Sequence, residues 1–136
     1  MRSGLIASAA VIGLLVALPA AAHHGSASFD TGKRVVLKGT VTEWLYSNPH
    51  CLLKIDVKGD DGKVVPWIAE GQAPNVIFPA GYRRDTFKYG DQVTITVEPF
   101  KDGRSIGRIL QTVLADGRTL GVASSAPAAA AAAPQP

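Results

Sequence analysis

The sequence predicts a small, mainly β domain, and three observations carry that expectation. Apolar residues recur at every second position through most of 35–58 and 93–97, the period of half-buried strands. Short Gly/Asp turns such as Asp61-Gly62, Asp102-Gly103 and Asp116-Gly117 punctuate the alternating runs. A single stretch, 73–78, breaks the pattern with a proline suited to the first turn of a helix.

Taken in order, residues 35–46 form a long first strand, with Val35, Leu37, Val41 and Leu45 on one face and Lys38, Thr40 and Thr42 on the other. Gly39 in its middle is the expected place for a bulge or a sharp bend. Ser47-Asn48-Pro49 breaks this strand, and Cys51, Leu53, Ile55 and Val57 then alternate with Lys54, Asp56 and Lys58 in a second. The Gly59–Gly62 turn returns the chain as a third strand over 63–70. Pro79 and Gly81 limit the helix after Gly71 to one or two turns. Residues 93–98 are the clearest strand, residues 106–114 supply another, and 119–122 add a short closing one. Five main strands with one short helix between the third and fourth is the order of an OB-like barrel, which hides its sheet edges by closing. An open meander of five to six strands is the competing arrangement.

The first 22 residues read as a secretory signal: Met1-Arg2 is a short basic start, 5–18 is apolar but short for a membrane span, and Ala20-Ala21-Ala22 offers a cleavage site. The expected organisation is therefore a leader over 1–22, a flexible mature N-terminus over 23–34, the barrel over 35–122 and a disordered Ala/Pro-rich tail over 123–136. About 100 residues remain for one domain. The net charge of +3 falls further when Arg2 leaves with the leader, and the basic residues are dispersed, so nucleic acid is not an expected partner. One cysteine, Cys51, excludes an internal disulfide, and its place in an alternating strand makes it a small buried apolar residue. A periplasmic or secreted protein with no membrane span after cleavage is the expectation.

The run His23-His24-Gly25-Ser26, the segment from Val36 through Trp44 to Asn48-Pro49-His50, the Trp67 strand ending in Glu70-Gly71, Pro74-Asn75, Tyr82-Arg83-Arg84, Gly90-Asp91 and Asp116-Gly117-Arg118 together resemble the exported bacterial domain-of-unknown-function family 6152. The resemblance covers nearly all of the mature domain and implies export, a small β fold and the histidine landmarks, but no reaction. The chain departs from that pattern at Pro79, in a stretch more helical in the family, and at Cys51, where a bulkier apolar residue is common.

His23, His24 and His50 are the three imidazoles of the chain, so any histidine-based metal site draws on them, with Asp30, Glu43 or Glu70 as candidate oxygen donors. Cleavage after Ala22 gives His23 a free α-amine beside its ring, a chelate suited to copper. Cleavage one residue earlier puts a histidine second and another third, a spacing that wraps Cu(II) in a plane. Against this stands the plain alternative of a leader segment without a built site, and for His50 a ring that bonds its own turn or packs on Trp44. Ser26, Ser28 and Ser47 lack a nucleophile setting, Asp60-Asp61 belongs to a turn, and no motif for an enzyme is present. A copper-dependent oxidative enzyme would need an open coordination position, a substrate surface and a supporting shell that the sequence does not display, so it ranks behind two other functions. One is a non-catalytic binding module with copper held by His23, His24 and His50. The other is an interaction protein of the cell envelope whose barrel face, with Trp44, Tyr46, Trp67, Arg83 and Arg84, takes a protein partner or small ligand.

Overall fold

The computed structural model of the chain describes residues 26–121. Their strands are β1 (Val35–Leu45), β2 (Leu52–Lys58), β3 (Val64–Glu70), β4 (Gln92–Pro99), β5 (Ile106–Leu114) and β6 (Thr119–Gly121). A single turn of helix, α1 (Pro74–Ile77), lies between β3 and β4 and tightens into a 3-10 turn over Phe78–Ala80. Pro79 has no N–H with which to continue a helix. Gly81 then takes φ of 100°, and a Cβ there would meet Leu120 Cδ2 at 2.8 Å. No helix among the described residues is long and apolar enough to cross a membrane.

The sheet runs β3-β2-β1-β4-β5-β6, and its ends meet because β3 also pairs with β5, in parallel, through Ile68↔Ile106, Ala69↔Gly107 and Glu70↔Arg108. That pairing closes β1 to β5 into an OB-like barrel, as the element order predicts, with β6 as an added strand on β5. Closure decides against the open meander.

β1 is the bent strand that makes closure possible. Its first half pairs with β4 and its second with β2, and Thr40 has a partner in each, Gln92 and Asp56. Gly39 stands next to this crossover. A Cβ on it would sit 2.8 Å from the Asp56 carbonyl oxygen, so only glycine lets the two backbones approach so closely. The expected bulge is elsewhere: the register slips between Val41 and Glu43, leaving Thr42 without a partner in β2. One extra residue inverts the alternation beyond it. Trp44, opposite Leu53, therefore faces the interior, while Leu45 is 36% exposed. The assignment of Leu45 to the same face as Val35, Leu37 and Val41 is corrected by this bulge.

The interior is filled by Leu37, Val41, Leu53, Ile55, Ala69, Val93, Ile95 and Val97, with Ile77, Tyr82, Phe87 and Leu120 packed against them. Each buried aliphatic contributes about 1.5–3 kcal/mol relative to exposure. Tyr82 is tolerated among them because its hydroxyl donates to Thr112 Oγ1 at 3.0 Å and also lies 3.4 Å from the Leu120 carbonyl. Burial pushes the Tyr82 phenol above its ordinary range.

Candidate functional site

His50 stands where the β1–β2 connection enters β2, just after a cis Asn48–Pro49 bond. Cys51 N–H donates to the Gln72 carbonyl, and Gly71 N–H donates to the Cys51 carbonyl at 2.8 Å. These two bonds tie the start of β2 to the chain leaving β3. Consequently His50 Nδ1 lies 3.3 Å from Glu70 Oε1 and 3.3 Å from the Gly71 carbonyl. Both neighbours only accept hydrogen bonds, so the proton of the neutral ring belongs on Nδ1 and the lone pair on Nε2. With 44% of its side chain exposed against 18% for Glu70, the ring is oriented by a carboxylate and open to solvent. A histidine held in this way is suited to donate Nε2 to a metal ion. His50 was expected to bond its own turn or to pack on Trp44; its ring partners instead come from the end of β3 and the chain leaving it, and Trp44 packs on Phe87, Tyr46 and Tyr82.

Of the three carboxylates considered as oxygen donors, Glu70 alone is paired with His50. Glu43 is paired with Lys54 across β1 and β2, and Asp30 N–H bonds the Pro99 carbonyl ahead of β1. No group of three His, Cys, Asp or Glu side chains gathers as a metal cage among the described residues. His23 and His24 lie outside those residues.

Residues 26–34 belong to the segment expected from the sequence to be a flexible mature N-terminus, and there the chain is held against the barrel. Ser26–Ser28 forms a 3-10 turn, Phe29 bridges to Phe100, and Lys101 N–H donates to the Ser28 carbonyl. Phe29 is buried, edge-on to Phe100 with centroids 4.7 Å apart, and Arg108 Cζ lies 5.1 Å from its ring. Arg108 in turn forms an ion pair with buried Glu98. Nothing in the local pattern around Phe29 signals this contact, because its partners are Phe100, just after β4, and Arg108 of β5.

The aromatic and basic residues considered as a partner face are distributed as follows. Trp44 packs on Phe87, Tyr46 and Tyr82 at ring separations of 5.0, 5.8 and 6.3 Å, and its indole N–H donates to the Arg83 carbonyl. Tyr46 donates its hydroxyl to the Pro74 carbonyl at 3.3 Å, and Arg84 Cζ lies 5.5 Å from its ring centroid. Trp67 is half-buried against the core. Arg83 stacks on Phe78, so the two adjacent arginines are held on different aromatic rings.

Cys51 is fully buried beside Leu53 and Ile55, its Sγ 4.0 Å from the Ser47 carbonyl. Burial raises its thiol above the ordinary range, outweighing the opposing charge of Arg84. Alkylation of the native protein by iodoacetamide at pH 8 is expected to run at least about tenfold slower than in urea. Equal rates in the two conditions, followed by mass spectrometry, would contradict the buried placement.

Residues 11–109 match the model of a family described as a family of unknown function, DUF6152. The matched span includes His23, His24, His50 and Glu70. No curated protein and no solved structure matches the sequence.

Proposed function

For a chain that belongs to DUF6152, a family of unknown function, we propose the role of an exported, non-catalytic metal-binding module that takes Cu(II) through His23, His24 and His50 in the periplasm or outside the cell. The observation that carries the reading is the His50–Glu70 contact, in which Nδ1 is committed to the Glu70 carboxylate and the Gly71 carbonyl while Nε2 keeps its lone pair. Supporting it is the anchored chain at Phe29. Arg108, which lies over that ring, is the register partner of Glu70 in the neighbouring strand. His24 precedes Phe29 by five positions, a length of chain that spans at most about 17 Å, and adjacent strands are about 4.8 Å apart. The proposal requires these five positions to lead back along the β3–β5 seam toward Glu70 and His50. The amine and imidazole of a mature His23, with further imidazoles, form a nitrogen donor set that favours Cu(II) over Zn(II).

Mass spectrometry of the secreted protein, followed by Cu(II) competition against a chelator of known affinity at neutral pH, tests this reading. A chain beginning at His23 with sub-nanomolar affinity is the expected result, reduced to micromolar by His23→Ala with His24→Ala. Glu70→Gln is expected to weaken binding by about 10–100-fold through loss of ring orientation. Micromolar binding by the unaltered mature chain would overturn the proposal and direct attention to partners of the barrel face.

A further inference from the structure

A second polar feature shares no residue with the His50–Glu70 pair. The loop after the 3-10 turn and the β5–β6 turn border an open, mostly polar cleft of ≈ 190 Å³ whose lining includes Gly81, Arg83, Asp85, Thr86, Arg118 and Leu120. That space holds on the order of six water molecules, or one molecule the size of glycine or alanine.

Its charged groups differ in what already satisfies them. Arg83 is oriented with unusual completeness: Nη1 donates to the Phe78 carbonyl at 2.5 Å and the Tyr82 carbonyl at 3.0 Å, and Cζ lies 3.5 Å from the Phe78 ring centroid. The Arg83 backbone N–H donates to Thr86 Oγ1 at 2.6 Å, fixing the loop from which the side chain springs. One corner of the guanidinium is thus consumed and one face covered, while Nε and Nη2 make no hydrogen bond among the described residues. A planar donor edge held in advance suits a carboxylate, which it can engage through two parallel bonds. Two residues on, Asp85 lines the same pocket and has no ion pair or hydrogen bond among the described residues. Arg118 has its charge paired, its Nε donating to Asp116 Oδ2 at 2.7 Å, while its terminal nitrogens make no hydrogen bond among the described residues. The lining charges without an ion-pair partner among the described residues are therefore the Arg83 guanidinium and the Asp85 carboxylate. A lone anion would meet Asp85, and a lone cation would meet Arg83; a ligand carrying both charges avoids either repulsion.

We propose that this pocket binds a small zwitterion of the α-amino acid class, its carboxylate on the free edge of Arg83 and its ammonium on Asp85. Thr86 holds the Arg83 backbone in place, and Leu120, packed beneath Gly81 and buried, adds a small apolar contact at the floor of the cleft.

The test is an NMR titration of the mature protein with glycine, acetate, methylammonium and inorganic phosphate, following the backbone amides of Arg83, Asp85, Thr86 and Arg118. Saturable glycine-induced shifts in the millimolar range are expected, as a ligand of so few atoms allows, with acetate and methylammonium at least about fivefold weaker. Asp85→Asn is expected to weaken glycine by about tenfold, the value of one charge-assisted bond, while leaving acetate as tight or tighter. Arg83→Lys, which keeps the charge but loses the fork, is expected to weaken both glycine and acetate. Acetate or phosphate binding as tightly as glycine, an Asp85→Asn variant that binds glycine normally, or no shift at these amides would each overturn the assignment. Asp85 is exposed, so that variant tests the proposal without depending on the packing around Arg83.

Discussion

Ile95→Ala is expected to lower the unfolding free energy by about 3–4 kcal/mol and the melting temperature by on the order of 15–25 °C. Ile95 has no solvent exposure and sits in β4 with Leu37 of β1 on one side and Thr112 of β5 on the other. Its side chain is among the largest fully buried ones and points into the one cluster that all the barrel strands share. The removed methyl and methylene groups lose their transfer free energy. The walls of a closed barrel also cannot collapse freely into the gap, because moving one strand strains its pairing with both neighbours. Ile95→Val, which removes a single methylene, is expected to cost about 1 kcal/mol. Urea denaturation of both variants would check the order, with an unchanged slope showing that the same surface is exposed on unfolding. A loss below 1 kcal/mol for the alanine variant would mean that Ile95 does not occupy a packed interior.

Arg108→Ala is expected to cost about 3 kcal/mol for a different reason. Glu98 is 8% exposed, and Arg108 donates to its Oε2 from Nε at 2.9 Å and again from Nη2. The Phe29 ring centroid lies 5.1 Å from the Arg108 Cζ. Truncating the arginine leaves a carboxylate desolvated with its partner gone, and that penalty exceeds what the pair contributes when intact. The loss is therefore expected to be partly recovered by Glu98→Gln in the same chain, since the neutral amide carries no buried charge. A double-mutant cycle of Arg108→Ala and Glu98→Gln measures the coupling; additivity of the two single changes would show the pair to be screened by solvent. Loss of the Arg108–Phe29 contact also loosens the chain that follows His23 and His24, so the Arg108→Ala variant links barrel stability to the proposed copper site.

His50 stood out through its residue type and its place after Asn48-Pro49. Glu70 was one of three candidate carboxylates that spacing could not rank, because twenty residues and a strand reversal separate it from His50. Pairing of Leu52 with Glu70 brings the two together. Arg83 and Arg84 were expected together on one barrel face, yet stacking on Phe78 and proximity to Tyr46 divide them, and only Arg83 borders the pocket reached from the β5–β6 turn. Neither consequence has a local signal. Phe29 is the clearest omission, since its burial depends on Phe100 and Arg108, both distant in the chain.

The sequence by itself determined the strands, their turns and the length of the helix, because alternation, Asp-Gly pairs and the Pro79/Gly81 stop all act within a few residues of backbone. It also determined that Cys51 belongs inside, through its place in the β2 alternation. Tertiary structure alone decided that β3 meets β5 in parallel, that the bulge at Thr42 turns Trp44 inward and Leu45 outward, and that Glu70 orients His50. A periodic pattern reports which side of a strand is apolar; it contains no information on which strand lies alongside. That choice is set by closing the barrel around a single shared core, where the whole set of pairings must be satisfied together.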